Sequence, residues 1–169
     1  RRLLVTGGSG HLGGEVVRRA REAGWETVGT SYRTPGPARL DVRDAAAVEA
    51  MFADAAPGCV VHTAYLQDGP EAWATNVDGS AHVAAAAAVC GARLIHLSTD
   101  LVFDGRAGRP YTEEDAVGPL LEYGRSKAAA EAAVAERHRA ATIVRTSLIY
   151  GGEGLSGHER RILDVVDGR

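Results

Sequence analysis

Apolar positions fall in two alternating patterns along the 169 residues. Short runs at 2–6, 26–31, 59–62, 93–98 and 141–146 are rich in Val, Leu and Ile. They are too brief for helices and read as strands buried on both faces. Longer segments at 12–23, 44–55, 71–90 and 123–139 lie between them and read as helices. Their alanine-rich stretches at 84–88 and 128–133 favour helix and permit close packing on a sheet. Strand–helix alternation at this spacing predicts an α/β domain, a doubly wound parallel sheet with helices on both faces. The long segment from 101 to 122 holds Gly105, Gly108, Pro110, Gly118 and Pro119 and is expected to be an irregular, functional loop.

Composition narrows this picture. With 45% hydrophobic and 24% charged residues the chain suits one soluble, cytoplasmic domain. Nineteen basic against 22 acidic residues give a net charge of −3, and no Lys/Arg-rich run is present. That argues against nucleic acid or an anionic membrane as partner. No apolar run reaches membrane-spanning length. Cys59 and Cys90 lie in apolar segments and read as buried thiols of a reducing compartment, with no metal site. The chain opens on Arg1, directly before a strand, and closes on 162–169, which reads as a helix. Such ends are expected of a piece of a longer protein.

The run Thr6-Gly7-Gly8-Ser9-Gly10-His11-Leu12-Gly13 joins the first strand to the first helix. Glycines here allow a sharp turn and let a pyrophosphate approach the backbone, while the helix N-terminus offers free amides to the anion. Gly7, Gly10, His11, Leu12 and Gly13 are therefore candidate cofactor contacts. About twenty residues later an acid would accept from a ribose 2′-hydroxyl, but no acid falls between Glu26 and Asp41. Ser31 and Arg33 stand there instead, which suits a 2′-phosphate and favours NADP over NAD. The alternative for Arg33 is a solvated loop charge. Asp41 and Val42 either line an adenine pocket or belong, with Asp44, to a helix cap.

Tyr123 and Lys127 lie four residues apart, on one face of the predicted helix. A nearby ammonium favours a phenolate and would bring the tyrosine toward a pKa useful for proton transfer. The fourth strand ends in Ser98-Thr99-Asp100, and the third in His62-Thr63-Ala64-Tyr65. Both ends face the crevice where such sheets bind ligands. Thr99 can polarise a carbonyl, with Ser98 beside it, and Thr63, Ala64 and Tyr65 would let a cofactor pass.

Together these motifs resemble the extended short-chain dehydrogenase/reductase family, whose fold is Rossmann-like. The turn TGGSGHLG is followed in the family's order by LDVRD, VVHTAY, ATNVDGS, STDLVFDG, YGRSK and RTSLIYGG. The subgroup that looks most similar is that of dTDP-4-dehydrorhamnose reductase-like sugar-nucleotide reductases. The resemblance implies a catalytic set of Thr99, Tyr123 and Lys127, with Asn76 supporting the lysine through ordered water. It implies an NAD(P)H-dependent reduction of a keto group on a sugar nucleotide or related small molecule. In substrate positions, Asp100, Leu101 and Leu148 stand where the subgroup commonly has aromatic residues at the last two. Residues 1–169 would form the NAD(P)-binding domain, with 147–169 beginning a substrate-binding portion that is mostly absent. Two alternatives are an NAD-dependent epimerase or dehydratase and a non-catalytic nucleotide-binding regulatory subunit. A homodimer is also expected.

Overall fold

A computed structural model describes residues 1–33, 38–152 and 154–167. Among the described residues there are five strands, β1 (Arg2–Thr6), β2 (Glu26–Gly29), β3 (Cys59–His62), β4 (Arg93–Thr99) and β5 (Thr142–Thr146). They form one parallel sheet in the order β2-β1-β3-β4-β5. The helices are α1 (His11–Glu22), α2 (Ala45–Ala55), α3 (Gly79–Val89), α4 (Glu122–Arg137) and α5 (Gly157–Val166). The expected doubly wound, Rossmann-like α/β architecture is therefore the observed one.

Three local features differ from expectation. β2 ends at Gly29, short of the expected Ser31, and Ser31 makes an isolated parallel bridge with Arg39. Arg39, Asp41 and Arg43 are charged and suit an open rim better than a buried strand. The segment 71–90 is not one regular helix: Ala74–Asp78 is a π-helical turn that leads into α3. The terminal helix starts earlier than 162, at Gly157, where Ser156 and Glu159 close a capping box. Residues 168 and 169 of the expected helix lie outside the described residues.

Period-two alternation sorts the strand residues between two layers. Leu4 and Val60 face α2, α3 and α4 in a core with Val48, Phe52, Val83 and Val134. Leu3 and Val5 face α1 and meet Val17. Each fully buried aliphatic side chain contributes about 1.5–3 kcal/mol, so the larger layer dominates the fold's stability. The cysteine expectation is corrected: Cys90, at the end of α3, is exposed, and Cys59 is only half-buried. Among the described residues no helix is long and apolar enough to cross a membrane.

Candidate active site

The chain leaves β1 to form β2 on one side and later forms β3 on the other. A crevice opens at the strand C-termini where the order reverses, and the glycine turn sits in it. Gly7 has φ of +74°, and a Cβ there would lie 2.8 Å from the Ala64 nitrogen. A Cβ on Gly8 would lie 2.7 Å from the Gly29 Cα, and one on Gly13 would lie 2.2 Å from the Gly7 oxygen. The turn thus requires bare backbone at all three positions. No side chain caps α1, and its first bond runs from the Gly14 amide to the Gly10 oxygen. The amides of His11, Leu12 and Gly13 precede that bond and suit an anion. These residues fit a dinucleotide pyrophosphate.

Beside the turn lies a cleft of about 280 Å³. The expected residues Gly7, Gly10, Ser31, Arg33, Asp41, Val42, Thr63, Ala64 and Tyr65 all line it. The Thr63 hydroxyl donates to the Thr6 carbonyl at 2.7 Å, so it shapes the wall. Asp41 and Asp44 divide the two roles considered for them. Asp44 caps α2 by accepting from the Ala47 amide at 3.1 Å, while Asp41 stays in the cleft. There the Arg43 guanidinium donates to both Asp41 oxygens, at 2.9 and 2.7 Å. That pairing holds the Asp41 carboxyl below its ordinary range.

Arg43, Tyr32 and Glu71 also line this cleft, and the motifs did not single them out. Arg43 donates to the Tyr32 hydroxyl at 3.1 Å, lies 5.2 Å from that ring's centre and pairs with Glu71. Arg39 lies 5.6 Å from the same ring. Arg43 was visible as a charge inside LDVRD. Glu71 carried no signal, because only folding brings it to the rim.

Thr99 ends β4, and Tyr123 lies in the first turn of α4. The helix approaches the strand end through Gly124, where a Cβ would lie 2.2 Å from the Leu101 oxygen. The Tyr123 ring is 5.8 Å from Tyr65, which places it beside the cleft. Lys127 is buried, and its ammonium donates to the Leu97 oxygen at 2.7 Å and lies 3.5 Å from His96 Nε2. Burial, partly opposed by Glu131, brings Lys127 down to about 8. The expected lowering of Tyr123 is not met in this geometry. Burial first, then Tyr65 and Asp100, push the phenol up to about 12. The reason is the direction of Lys127, which is turned to a strand carbonyl.

Asn76 is fully buried in the π-helical turn. Its carboxamide accepts from the Leu66 amide and donates to the Leu66 oxygen, both at 2.8 Å, and donates to Ser126 Oγ at 2.9 Å. Its direct partners are thus the cleft wall and α4, while the water-mediated support expected for Lys127 is a separate matter. A buried relay continues from here. Ser126 donates to the Tyr123 backbone oxygen at 2.8 Å, and Ser80 donates to the Asn76 backbone oxygen at 2.6 Å. Ser80 must then accept from His62 Nε2 at 2.9 Å, so His62 Nδ1 accepts from the Thr6 hydroxyl at 2.5 Å. The network assigns His62 as the neutral Nε2–H tautomer. It joins the residue before the glycine turn to the first turn of α4.

The His62 and His96 rings lie tilted against each other with centres 5.2 Å apart, and His96 Nδ1 is buried without a partner among the described residues. Burial, reinforced by Lys127, lowers His62 to about 3 and pushes His96 down as well. Below about pH 6.5 the unfolded chain takes up protons that the folded chain refuses, so folding stability falls as pH falls. Each histidine contributes a slope of up to about 1.4 kcal/mol per pH unit. Urea unfolding at pH 7.5 and pH 5 should show a clear loss at the lower pH. Equal stability at the two would contradict this burial.

Ser98 departs from expectation. Along β4, Leu94, His96 and Ser98 alternate toward the helices, and the Ser98 hydroxyl donates to Glu131. Glu131 is also paired with Arg145 at 2.7 Å. The Ser98 hydroxyl therefore ties β4 to α4 inside the fold instead of facing the crevice. Asp100 is exposed, as are Leu101 (39%) and Leu148 (62%). Thr99 is paired with Thr146, so the two leucines follow neighbouring strand ends.

Residues 1–166 match the RmlD substrate binding domain family. The dTDP-4-dehydrorhamnose reductase of Mycobacterium tuberculosis H37Rv is 37% identical over 98% of this chain and 59% of its own length. Methionine adenosyltransferase 2 subunit beta of Mus musculus is 38% identical over 89% of this chain and 48% of its own length. The crystal structure of dTDP-4-dehydrorhamnose reductase from Bacillus anthracis, in complex with NADP, superposes with a TM-score of 0.86 at 27% identity. It covers 99% of this chain, which spans 60% of that structure. The chain thus spans about half to three-fifths of the length of these relatives. By the match over residues 1–166, and by the glycine turn and strand order that underlie it, this chain belongs to the RmlD substrate binding domain family of extended short-chain dehydrogenases/reductases.

Proposed function

We propose that this chain binds NADP(H) and carries the reacting residues for reducing a keto group on a sugar nucleotide or related small molecule. The observation that carries this reading is one shared edge of a parallel sheet. The glycine turn lines the arginine-rimmed cleft there, Thr99 ends β4 on the same edge, and the Tyr123 ring lies 5.8 Å from Tyr65 of the cleft wall, while Lys127 points to the Leu97 oxygen. A nicotinamide cofactor would supply the hydride. Gly7, Gly10, His11, Leu12 and Gly13 would hold its pyrophosphate, and Ser31, Arg33, Asp41, Val42, Thr63, Ala64 and Tyr65 its adenosine side. Thr99 would orient the carbonyl, and Tyr123 would give its proton to the developing alkoxide. The phenol is protonated at neutral pH, and a Lys127 ammonium turned toward it would bring its pKa down toward the working range. Lys127 would turn from Leu97 toward the ribose when the cofactor is present. Asn76 acts as a positioning residue through Leu66 and Ser126.

Residues 147–169 would begin the substrate-binding portion. Leu148, Tyr150 and Leu155 are exposed apolar side chains in this stretch, which supports this. Asp100, Leu101 and Leu148 would face the substrate, and aliphatic groups at the last two favour a ligand less dependent on base stacking than deoxythymidine diphosphate.

The test is NADPH oxidation with a panel of keto sugar nucleotides, run beside Tyr123→Phe. Turnover in the parent, reduced about 10²- to 10⁴-fold in the variant with NADPH affinity kept, is the expected result. A second reading is favoured by the likeness to methionine adenosyltransferase 2 subunit beta: a nucleotide-binding regulatory subunit. Tight NADPH binding with no turnover on any member of the panel would select it.

A further inference from the structure

No acid stands between Glu26 and Asp41 in the chain, yet folding brings a second acid to the cleft beside Asp41. Glu71, from the segment before the π-helical turn, pairs with Arg43 at the rim. We infer that Glu71 is a specificity-determining residue, an acidic competitor for the 2′-phosphate of NADP(H) at Arg43. The inference rests on the dinucleotide reading above and deepens it.

The two carboxylates on Arg43 are held differently. Asp41 is two residues away, is gripped by Nε and Nη2, and also accepts from the Arg43 backbone amide at 3.0 Å. Glu71 takes the remaining Nη1 and has a side chain 55% exposed, against 30% for Asp41. Exposed single-point ion pairs are weakly held, whereas a bidentate pair backed by an amide is far better held. Glu71 is therefore the replaceable partner. A ribose 2′-hydroxyl carries no charge and leaves the Arg43–Glu71 pair intact. A 2′-phosphate near Arg33, Arg39 and Arg43 meets Glu71 as a like charge and must displace it. The pair thus discriminates against NADP(H) while the arginines favour it, and the balance sets the preference.

Dissociation constants for NADPH and NADH, by quenching of protein fluorescence on the full chain, test this. In Glu71→Gln, NADPH should tighten about three- to tenfold while NADH changes less than about twofold. In Arg43→Leu, NADPH should weaken about tenfold with NADH nearly unchanged, and Arg43→Lys should recover part of the loss. An NADPH-to-NADH ratio in Glu71→Gln within about twofold of the parent, or an equal loss of both nucleotides in Arg43→Leu, overturns the inference alone. A parent chain that binds neither nucleotide overturns the dinucleotide reading and the inference together.

Discussion

Replacing Gly13 with alanine is expected to lower stability by about 1–3 kcal/mol and to weaken NADPH binding at least about tenfold. Helix propensity predicts the opposite sign, since alanine inside a helix is better than glycine by about 1 kcal/mol. Space decides the matter. The new Cβ would lie 2.2 Å from the Gly7 oxygen and 2.7 Å from Thr63 Oγ1. The first is backbone and cannot rotate away, and the second is tied to the Thr6 oxygen. Relief requires α1 to lift off the turn, which separates the amides of His11, Leu12 and Gly13 from any pyrophosphate. Gly14 is the internal control. A Cβ there meets nothing nearer than the Gly8 oxygen at 3.5 Å, so Gly14→Ala should gain up to about 1 kcal/mol. Urea unfolding of both variants and NADPH titration of each check this; equal effects at the two sites would contradict the packing argument.

Lys127→Met is expected to separate stability from function. Lys127 is 3% exposed, and burial lowers it from 10.5 to about 8. At neutral pH the folded state therefore carries a buried ammonium at a cost of about 3 kcal/mol. Its bond to the Leu97 oxygen returns about 1.5–3 kcal/mol, so an apolar replacement leaves stability unchanged or raises it by up to about 2 kcal/mol. The sign has a pH signature. Between about pH 8 and 10.5 the unfolded chain holds a proton that the folded chain has released, so parent stability rises with pH there and the variant's does not. NADPH binding should weaken about tenfold, and any turnover should fall at least about 100-fold. A stability loss above about 1 kcal/mol would show that the lysine holds the fold together, contrary to this balance.

Much of this architecture was legible because its signals are local. The ends of β1 and β3 follow from short apolar runs, and the glycine turn follows from a strand, three glycines and a helix in order. Each cleft residue taken from those motifs, from Ser31 to Tyr65, does line the cleft. The differences share a cause. Its place near a strand end points Ser98 at the crevice, but the two-residue alternation of β4 turns it to Glu131. A four-residue spacing pairs Lys127 with Tyr123, but the Leu97 carbonyl and His96 compete for its protons. Spacing places side chains on a face; it does not choose among the partners that packing brings there.

By itself, the sequence determined the doubly wound sheet, the position of the phosphate turn and the residue types able to do chemistry. These depend on periodicity and on glycine's missing Cβ, both written within a few consecutive residues. Only the tertiary structure decided which carboxylates meet which arginines, how the buried histidines join the turn to α4, and which carbonyl Lys127 meets. Asp41 and Glu71 stand thirty positions apart and share one guanidinium. Their electrostatics depend on distance and burial, and neither exists until the chain has folded.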